Sequence, residues 1–228
     1  MGEAENVTWR VAVGDAETTA VLDSASADGR RVVFVCAHGA GGNRDDRSML
    51  ALRNALVRRG IDVVRFNFLY KERGSGRPDP MPRLMETVAA VVARTRDELK
   101  PDLLLIGGRS MGGRAASMLA ADGFACDGLL LLAYPLHPAG QPEKLRDAHL
   151  PSIRVPVLCF NGTRDDLCRP DLMEAVLTRV QPTFSMHWLE GADHSFHVLK
   201  SSGRTDAQVL DEVGDTTRKW IADLSGAA

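Results

Sequence analysis

The chain has 228 residues, 44% of them hydrophobic and 25% charged, with a formal net charge of −2. That length suits one domain with a large core, and the expected organisation is a single domain over residues 1–228. The near-neutral balance argues against nucleic acid or an anionic membrane as a partner, and no apolar run approaches a membrane span.

The polar, acidic N-terminus does not read as a secretory signal. The four cysteines show no C-x-x-C spacing, and Cys36 and Cys159 sit inside apolar runs. A reduced, cytoplasmic setting is the expectation.

Taken in order, Val7–Val13 alternates like a strand, Gly14-Asp15 turns, and Thr18–Leu22 returns as the second arm of a hairpin. Arg31–Ala37 is a continuous apolar run, as for a strand covered on both faces. It ends in the glycine-rich turn His38-Gly39-Ala40-Gly41-Gly42-Asn43. Asp45 or Asp46 is placed to cap the next helix, whose apolar residues from Met49 to Val57 have helical spacing, and Gly60 closes it.

Asp62–Phe68 reads as a strand, Lys71–Pro82 as a mobile loop and Met85–Leu99 as a helix. Leu103–Gly107 is the next buried strand. It runs into Gly108-Arg109-Ser110-Met111-Gly112 and a helix as far as Gly123. Gly128–Ala133 is again a buried strand, and Tyr134–Leu150 is irregular with one helical turn expected near Glu143–Arg146. Val155–Asn161 is a strand, Pro170–Val180 a helix, Ser185–Leu189 a strand and Asp206–Leu224 the last amphipathic helix.

This order predicts an α/β fold with a mostly parallel central sheet of about seven or eight strands. An antiparallel N-terminal edge and helices on both faces are expected.

The pattern G-x-S-x-G between a buried strand and a helix is the nucleophile elbow, a turn that thrusts the serine hydroxyl out at the carboxyl edge of the sheet. Ligands of open α/β sheets bind at that edge. The residues that leave the strand ends are the His38–Gly42 turn, Ser110, Asp165 and His194, and the last three follow the chain order Ser, Asp, His. His197 competes with His194, and Asp166 competes with Asp165. The His38–Gly42 turn lacks the Lys-Ser/Thr of a phosphate loop. No His, Cys and carboxylate cluster has metal-ligand spacing, so no metal or cofactor is expected.

The set HGAGG, GGRSMGG, GTRDD and GADHSF resembles the α/β-hydrolase superfamily across essentially the whole chain. Asn67–Tyr70, Ala133–Pro138 and Gly162–Asp165 resemble a small, cap-less branch that includes dienelactone-hydrolase-like proteins and the hydrolase-like subunit of the NSL histone-acetyltransferase complex. The resemblance implies Ser110 as nucleophile, His194 as base and then acid, and Asp165 as the carboxylate that orients the imidazole. It implies the Met111 and Ala40 amides as the oxyanion hole.

His38, Gly39, Tyr70, Arg109 and His137 are candidate substrate contacts. Arg44, Arg47, Arg73, Arg77, Arg83 and Arg114 lie nearby in sequence, and the two readings for them are a preference for an acidic substrate or solvated surface positions.

The short segment after Gly128–Ala133 leaves no room for a large cap, so an open site for small ester substrates is expected. The expected oligomeric state is a monomer or small homo-oligomer. Two other readings stand beside ester hydrolysis. One is a non-catalytic interaction module on the same fold. The other is dienelactone-type lactone hydrolysis, which in the family it resembles uses a cysteine at the elbow.

Overall fold

The structure is a computed structural model and describes residues 6–25, 29–181 and 183–226. Among these residues, eight strands form one sheet: β1 (Asn6–Val13), β2 (Ala16–Asp23), β3 (Val32–Ala37), β4 (Ile61–Phe66), β5 (Leu103–Arg109), β6 (Gly128–Leu132), β7 (Val157–Gly162) and β8 (Phe184–Leu189). Their spatial order is β1-β2-β4-β3-β5-β6-β7-β8. β1 pairs antiparallel with β2 and β2 antiparallel with β4, whereas every pair from β4 to β8 is parallel.

Among the described residues, six helices surround the sheet: α1 (Arg47–Val57), α2 (Leu69–Glu72), α3 (Met81–Leu99), α4 (Met111–Ala121), α5 (Pro170–Leu177) and α6 (Asp206–Gly226). Every residue of β3 to β7 is buried, the signature of strands covered on both faces. The two-residue period of β3 divides the core. Val33, Val35 and Ala37 pack with Val88, Val91 and Val92 of α3 and Ala115 and Ala116 of α4. Val32, Phe34 and Cys36 pack with Leu52 and Leu56 of α1 and Val209 and Val213 of α6.

Three expectations shift at the element boundaries. The segment 73–80 is shorter than the loop expected over Lys71–Pro82. Leu69–Glu72 is helical, and α3 already starts at Met81, with Pro82 at a helix-opening position where its missing N–H costs nothing. The helix that opens at Pro170 stops at Leu177. No helical turn forms at Glu143–Arg146. Tyr134 Oη donates to the Arg146 carbonyl (2.5 Å) and the Arg146 amide donates to the Leu136 carbonyl (2.7 Å), so this stretch is pinned to the strand-end segment.

The β6–β7 connection, residues 133–156, carries only the single 3₁₀ turn Leu150–Ser152 and no large cap. Among the described residues, no helix is long and apolar enough to cross a membrane.

The turn that follows β3 is held by a buried charge network. Arg65 of β4 donates to Asp23 at 2.6 and 3.2 Å and to Asp45 at 2.9 Å, and Arg53 of α1 also pairs with Asp23 at 3.0 Å. Asp46 precedes α1 but makes no side-chain cap bond. Its carboxylate instead accepts from the Asn43 amide (2.7 Å) and the Asn43 side chain (2.8 Å), which closes the turn.

Candidate active site

Ser110 sits between β5 and α4 at φ 47° and ψ −115°, a conformation that costs a non-glycine residue roughly 1–3 kcal/mol. The surrounding structure enforces it. The Ser110 amide donates to the Leu132 carbonyl of β6 (2.9 Å), and the Arg114 amide donates to the Ser110 carbonyl (3.0 Å). The flanking glycines are required by close approach. A Cβ on Gly108 would lie 2.1 Å from the Ala37 carbonyl oxygen, and one on Gly112 would lie 2.6 Å from the carbonyl oxygens of Ala37 and His38. The elbow is therefore wedged against the end of β3, and the glycine-rich turn is delivered beside Ser110.

The loops after β7 and β8 complete the arrangement. Ser110 Oγ lies 2.9 Å from His194 Nε2, and His194 Nδ1 lies 2.9 Å from both carboxylate oxygens of Asp165. Asp165 is 3% exposed. Its Oδ1 also accepts from the Leu167 amide (2.8 Å) and its Oδ2 from Asn161 Nδ2 (3.0 Å). A carboxylate only accepts, so the imidazole proton belongs on Nδ1. That leaves the Nε2 lone pair for the Ser110 hydroxyl, and such a chain can carry a proton from hydroxyl to imidazole.

A cavity of about 320 Å³ opens in front of Ser110 and His194, lined by Gly39 to Gly42, Asp46, Ser48 and Arg109. Ala40 thus lines the cavity that Ser110 faces. Met111 opens α4, where a helix leaves its first amides without an intrahelical acceptor. A separate cavity of about 760 Å³ is lined by His137, Asp165 and Asp193 and does not include Ser110. Among the described residues, no group of three or more His, Cys, Asp or Glu side chains is placed to hold a metal ion.

A family model described as an alpha/beta hydrolase domain matches residues 30–222. The chain belongs to the alpha/beta hydrolase family.

Among solved structures, it is similar to an alpha-beta serine hydrolase homologue from Coxiella burnetii, with 19% identity, TM-score 0.76, and coverage of 95% of this chain and 99% of that one. It is also similar to Est1E from Butyrivibrio proteoclasticus, solved with ferulic acid bound (16%, TM-score 0.76, 94% and 99%). A third is dienelactone hydrolase from Anabaena variabilis (18%, TM-score 0.75, 97% and 99%).

Within this alpha/beta hydrolase, the competing residues point elsewhere. His197 Nδ1 faces Asp206 at 3.0 Å, and this hydrogen bond raises its pKa. Asp166 is exposed, while its neighbour Asp165 is turned inward.

Three candidate substrate contacts are buried in the structure. His38 is 0% exposed, and its Nε2 accepts from the Phe68 amide (3.1 Å), so it ties the end of β3 to the segment after β4. Burial also lowers its pKa, which suits a neutral acceptor. Tyr70 is equally buried, its ring stacked near Phe68. His137 accepts the Arg169 amide through Nε2 (3.2 Å) and lines the 760 Å³ cavity rather than the one at Ser110. The strands bring these residues to the right edge, but close packing turns their rings into the wall. Gly39 does line the Ser110 cavity.

Arg109 is 8% exposed and donates to the carbonyl oxygen of His194 (2.9 Å), with its guanidinium 5.0 Å from the ring centroid of Phe196. It therefore braces the loop that carries His194. Asp193 adds to this, accepting from the Ser195 (2.7 Å) and His197 (3.0 Å) amides. Arg109→Met is expected to lower kcat roughly 10- to 100-fold with little change in KM, because a displacement of about 1 Å in a reacting group costs on that order. Steady-state kinetics on an activated ester checks this, and an unchanged kcat would show that the loop holds itself.

Asn161 escaped the sequence reading. It is fully buried, and its amide bridges Asp165 Oδ2 to the main chain of Tyr134, donating to the Tyr134 carbonyl (3.0 Å) and accepting from the Tyr134 amide (3.1 Å). The available signal was a polar residue at the end of an apolar strand, four positions before the carboxylate.

Proposed function

We propose that this chain is a serine hydrolase that cleaves carboxylic esters through an acyl-enzyme. The observation that carries the reading is the hydrogen-bonded chain from Ser110 Oγ through His194 to Asp165, each link 2.9 Å.

In the first half-reaction Ser110 Oγ attacks the ester carbonyl carbon while His194 Nε2 takes its proton. The carbonyl oxygen becomes an oxyanion facing the Ala40 and Met111 amides, donors of a kind that contribute about 3 kcal/mol each. The tetrahedral species collapses, the carbon–oxygen bond to the alcohol breaks, and the alcohol oxygen leaves with the proton from His194. In the second half-reaction His194 deprotonates a water, which attacks the acyl carbon; the bond to Ser110 Oγ then breaks as His194 returns the proton to that oxygen, releasing the acid and free Ser110. Asp165 stays ionised throughout and stabilises the imidazolium.

The family membership and the likeness to the serine hydrolase homologue, Est1E and dienelactone hydrolase support hydrolysis as the reaction class. The absence of a large cap supports small or surface-presented esters over long lipids.

A fluorophosphonate probe is expected to label the wild type and not Ser110→Ala, and p-nitrophenyl acetate hydrolysis is expected to disappear in the same variant. Equal labelling and turnover in the two proteins would refute the reading, and an interaction module would then be the better account.

A further inference from the structure

The cavity at Ser110 does not end there. Ser48, Arg109 and Ser195 line it and also line a second cavity of about 490 Å³ between α1 and α6. The floor of this second cavity is apolar, formed by Ala51 of α1, Leu210 of α6 and the ring of Phe196. Its rim carries Arg47, together with His197 and Asp206, which are paired with each other.

Of the two arginines that line this second cavity, Arg109 is held by the protein and Arg47 is not. Arg44 is bound by Thr19 O, Asp45 and Glu72, Arg73 by Asp79, Arg83 by Asp15 and Glu86, and Arg109 by the His194 carbonyl. Among the described residues, the Arg47 side chain has no ion pair or hydrogen bond, though its charge reaches Asp206. A guanidinium without a hydrogen-bonded partner, at the open end of an apolar groove, matches a ligand with an apolar body and an anionic end.

The groove also has a side. One wall is the loop Ser195–Phe196–His197, directly after His194. The group that departs must take its proton from His194 Nε2, in the cavity that shares Ser48, Arg109 and Ser195 with this groove, so the groove opens from the side of Ser110 where the proton donor sits.

Resting on the proposed Ser110 chemistry, we propose that the groove between α1 and α6 holds the alcohol portion of the ester. That portion is an aryl or similarly compact apolar group bearing a carboxylate or other anion, which Arg47 reads.

Four acetates test this with the acyl group held constant: ethyl acetate, phenyl acetate, 4-methylphenyl acetate and 4-acetoxybenzoate. In the wild type, kcat/KM is expected to favour 4-acetoxybenzoate over 4-methylphenyl acetate by about tenfold. Arg47→Gln is expected to remove that preference and Arg47→Lys to keep part of it. Ala51→Trp, and separately Leu210→Trp, should fill the groove and lower the ratio of phenyl to ethyl acetate by about tenfold. In a parallel series of p-nitrophenyl esters with lengthening acyl chains, whose aryl leaving group is constant, the dependence on chain length should stay as in the wild type.

An unchanged aryl preference in both tryptophan variants overturns the groove, and so does an effect confined to the acyl series. No loss in Arg47→Gln overturns the anionic end. Failure of the underlying reading looks different, since Ser110→Ala would then turn over all four acetates like the wild type.

Discussion

His194→Ala is expected to lower kcat for an activated ester by about 10⁶-fold, and Asp165→Asn by about 10⁴-fold, with the fold retained in both. The alanine removes the only imidazole within hydrogen-bond reach of Ser110 among the described residues. The asparagine acts more subtly. Both oxygens of Asp165 face His194 Nδ1, and Oδ2 already accepts from Asn161 Nδ2 while Oδ1 accepts from the Leu167 amide. An asparagine would place its NH₂ group where one of these acceptors stood. If that group takes the place of Oδ2, it confronts the Asn161 NH₂ donor. If it takes the place of Oδ1, it confronts the Leu167 amide. Either way it offers a donor to Nδ1, favouring the tautomer with the proton on Nε2, which cannot accept from Ser110.

Single-turnover kinetics, with circular dichroism as a folding control, separates the chemical step from binding. A loss below tenfold in Asp165→Asn would mean that the imidazole is held by something other than the carboxylate.

Asp23→Ala is expected to destabilise the protein by about 3–5 kcal/mol, the range for breaking a buried ion pair from one side. Asp23 is 0% exposed and serves two guanidinium groups, Arg65 in a forked contact at 2.6 and 3.2 Å and Arg53 at 3.0 Å. Truncation leaves the nearly buried Arg65 with donors facing no acceptor at the β2–β4 pairing. The consequence reaches the site, because Arg65 also donates to the Arg44 carbonyl and to Asp45 in the turn after the glycines. Equilibrium urea unfolding gives the magnitude. The double variant Asp23→Ala, Arg65→Met should recover part of the loss, since it removes the stranded charge as well. A single-variant loss under about 1 kcal/mol would contradict the burial argument.

Much of the fold was legible because its strands are buried on both faces. Continuous runs such as Val32–Ala37 and Leu103–Ile106 permit few other readings, and the glycines around Ser110 mark close approach wherever they occur. The boundaries of α3 and α5 were less legible, because Pro82 opens a helix as readily as it ends a loop and nothing in the sequence marks Leu177 as a stop.

In the site, the order of Ser110, Asp165 and His194 along the chain carried the reading, and the spatial strand order β3-β5-β6-β7-β8 explains how those positions meet at one edge. The roles of neighbouring side chains were not legible. His38, Tyr70 and His137 reach the correct edge, yet sequence offers no measure of whether a ring faces a cavity or fills the wall, since that depends on side chains from other elements.

The sequence by itself determined the α/β class, the elbow at Ser110 and the strand ends from which Asp165 and His194 depart. These are local matters of period, glycine and chain order, which short-range sterics impose. Only the tertiary structure decided that Arg109 braces the His194 carbonyl, that Asn161 supports Asp165 and that Arg47 is left without an ion pair at the end of a groove. Each of those outcomes depends on which partners arrive from distant parts of the chain. A buried polar group finds its role through the hydrogen bonds available to it after packing, and composition and spacing do not encode that.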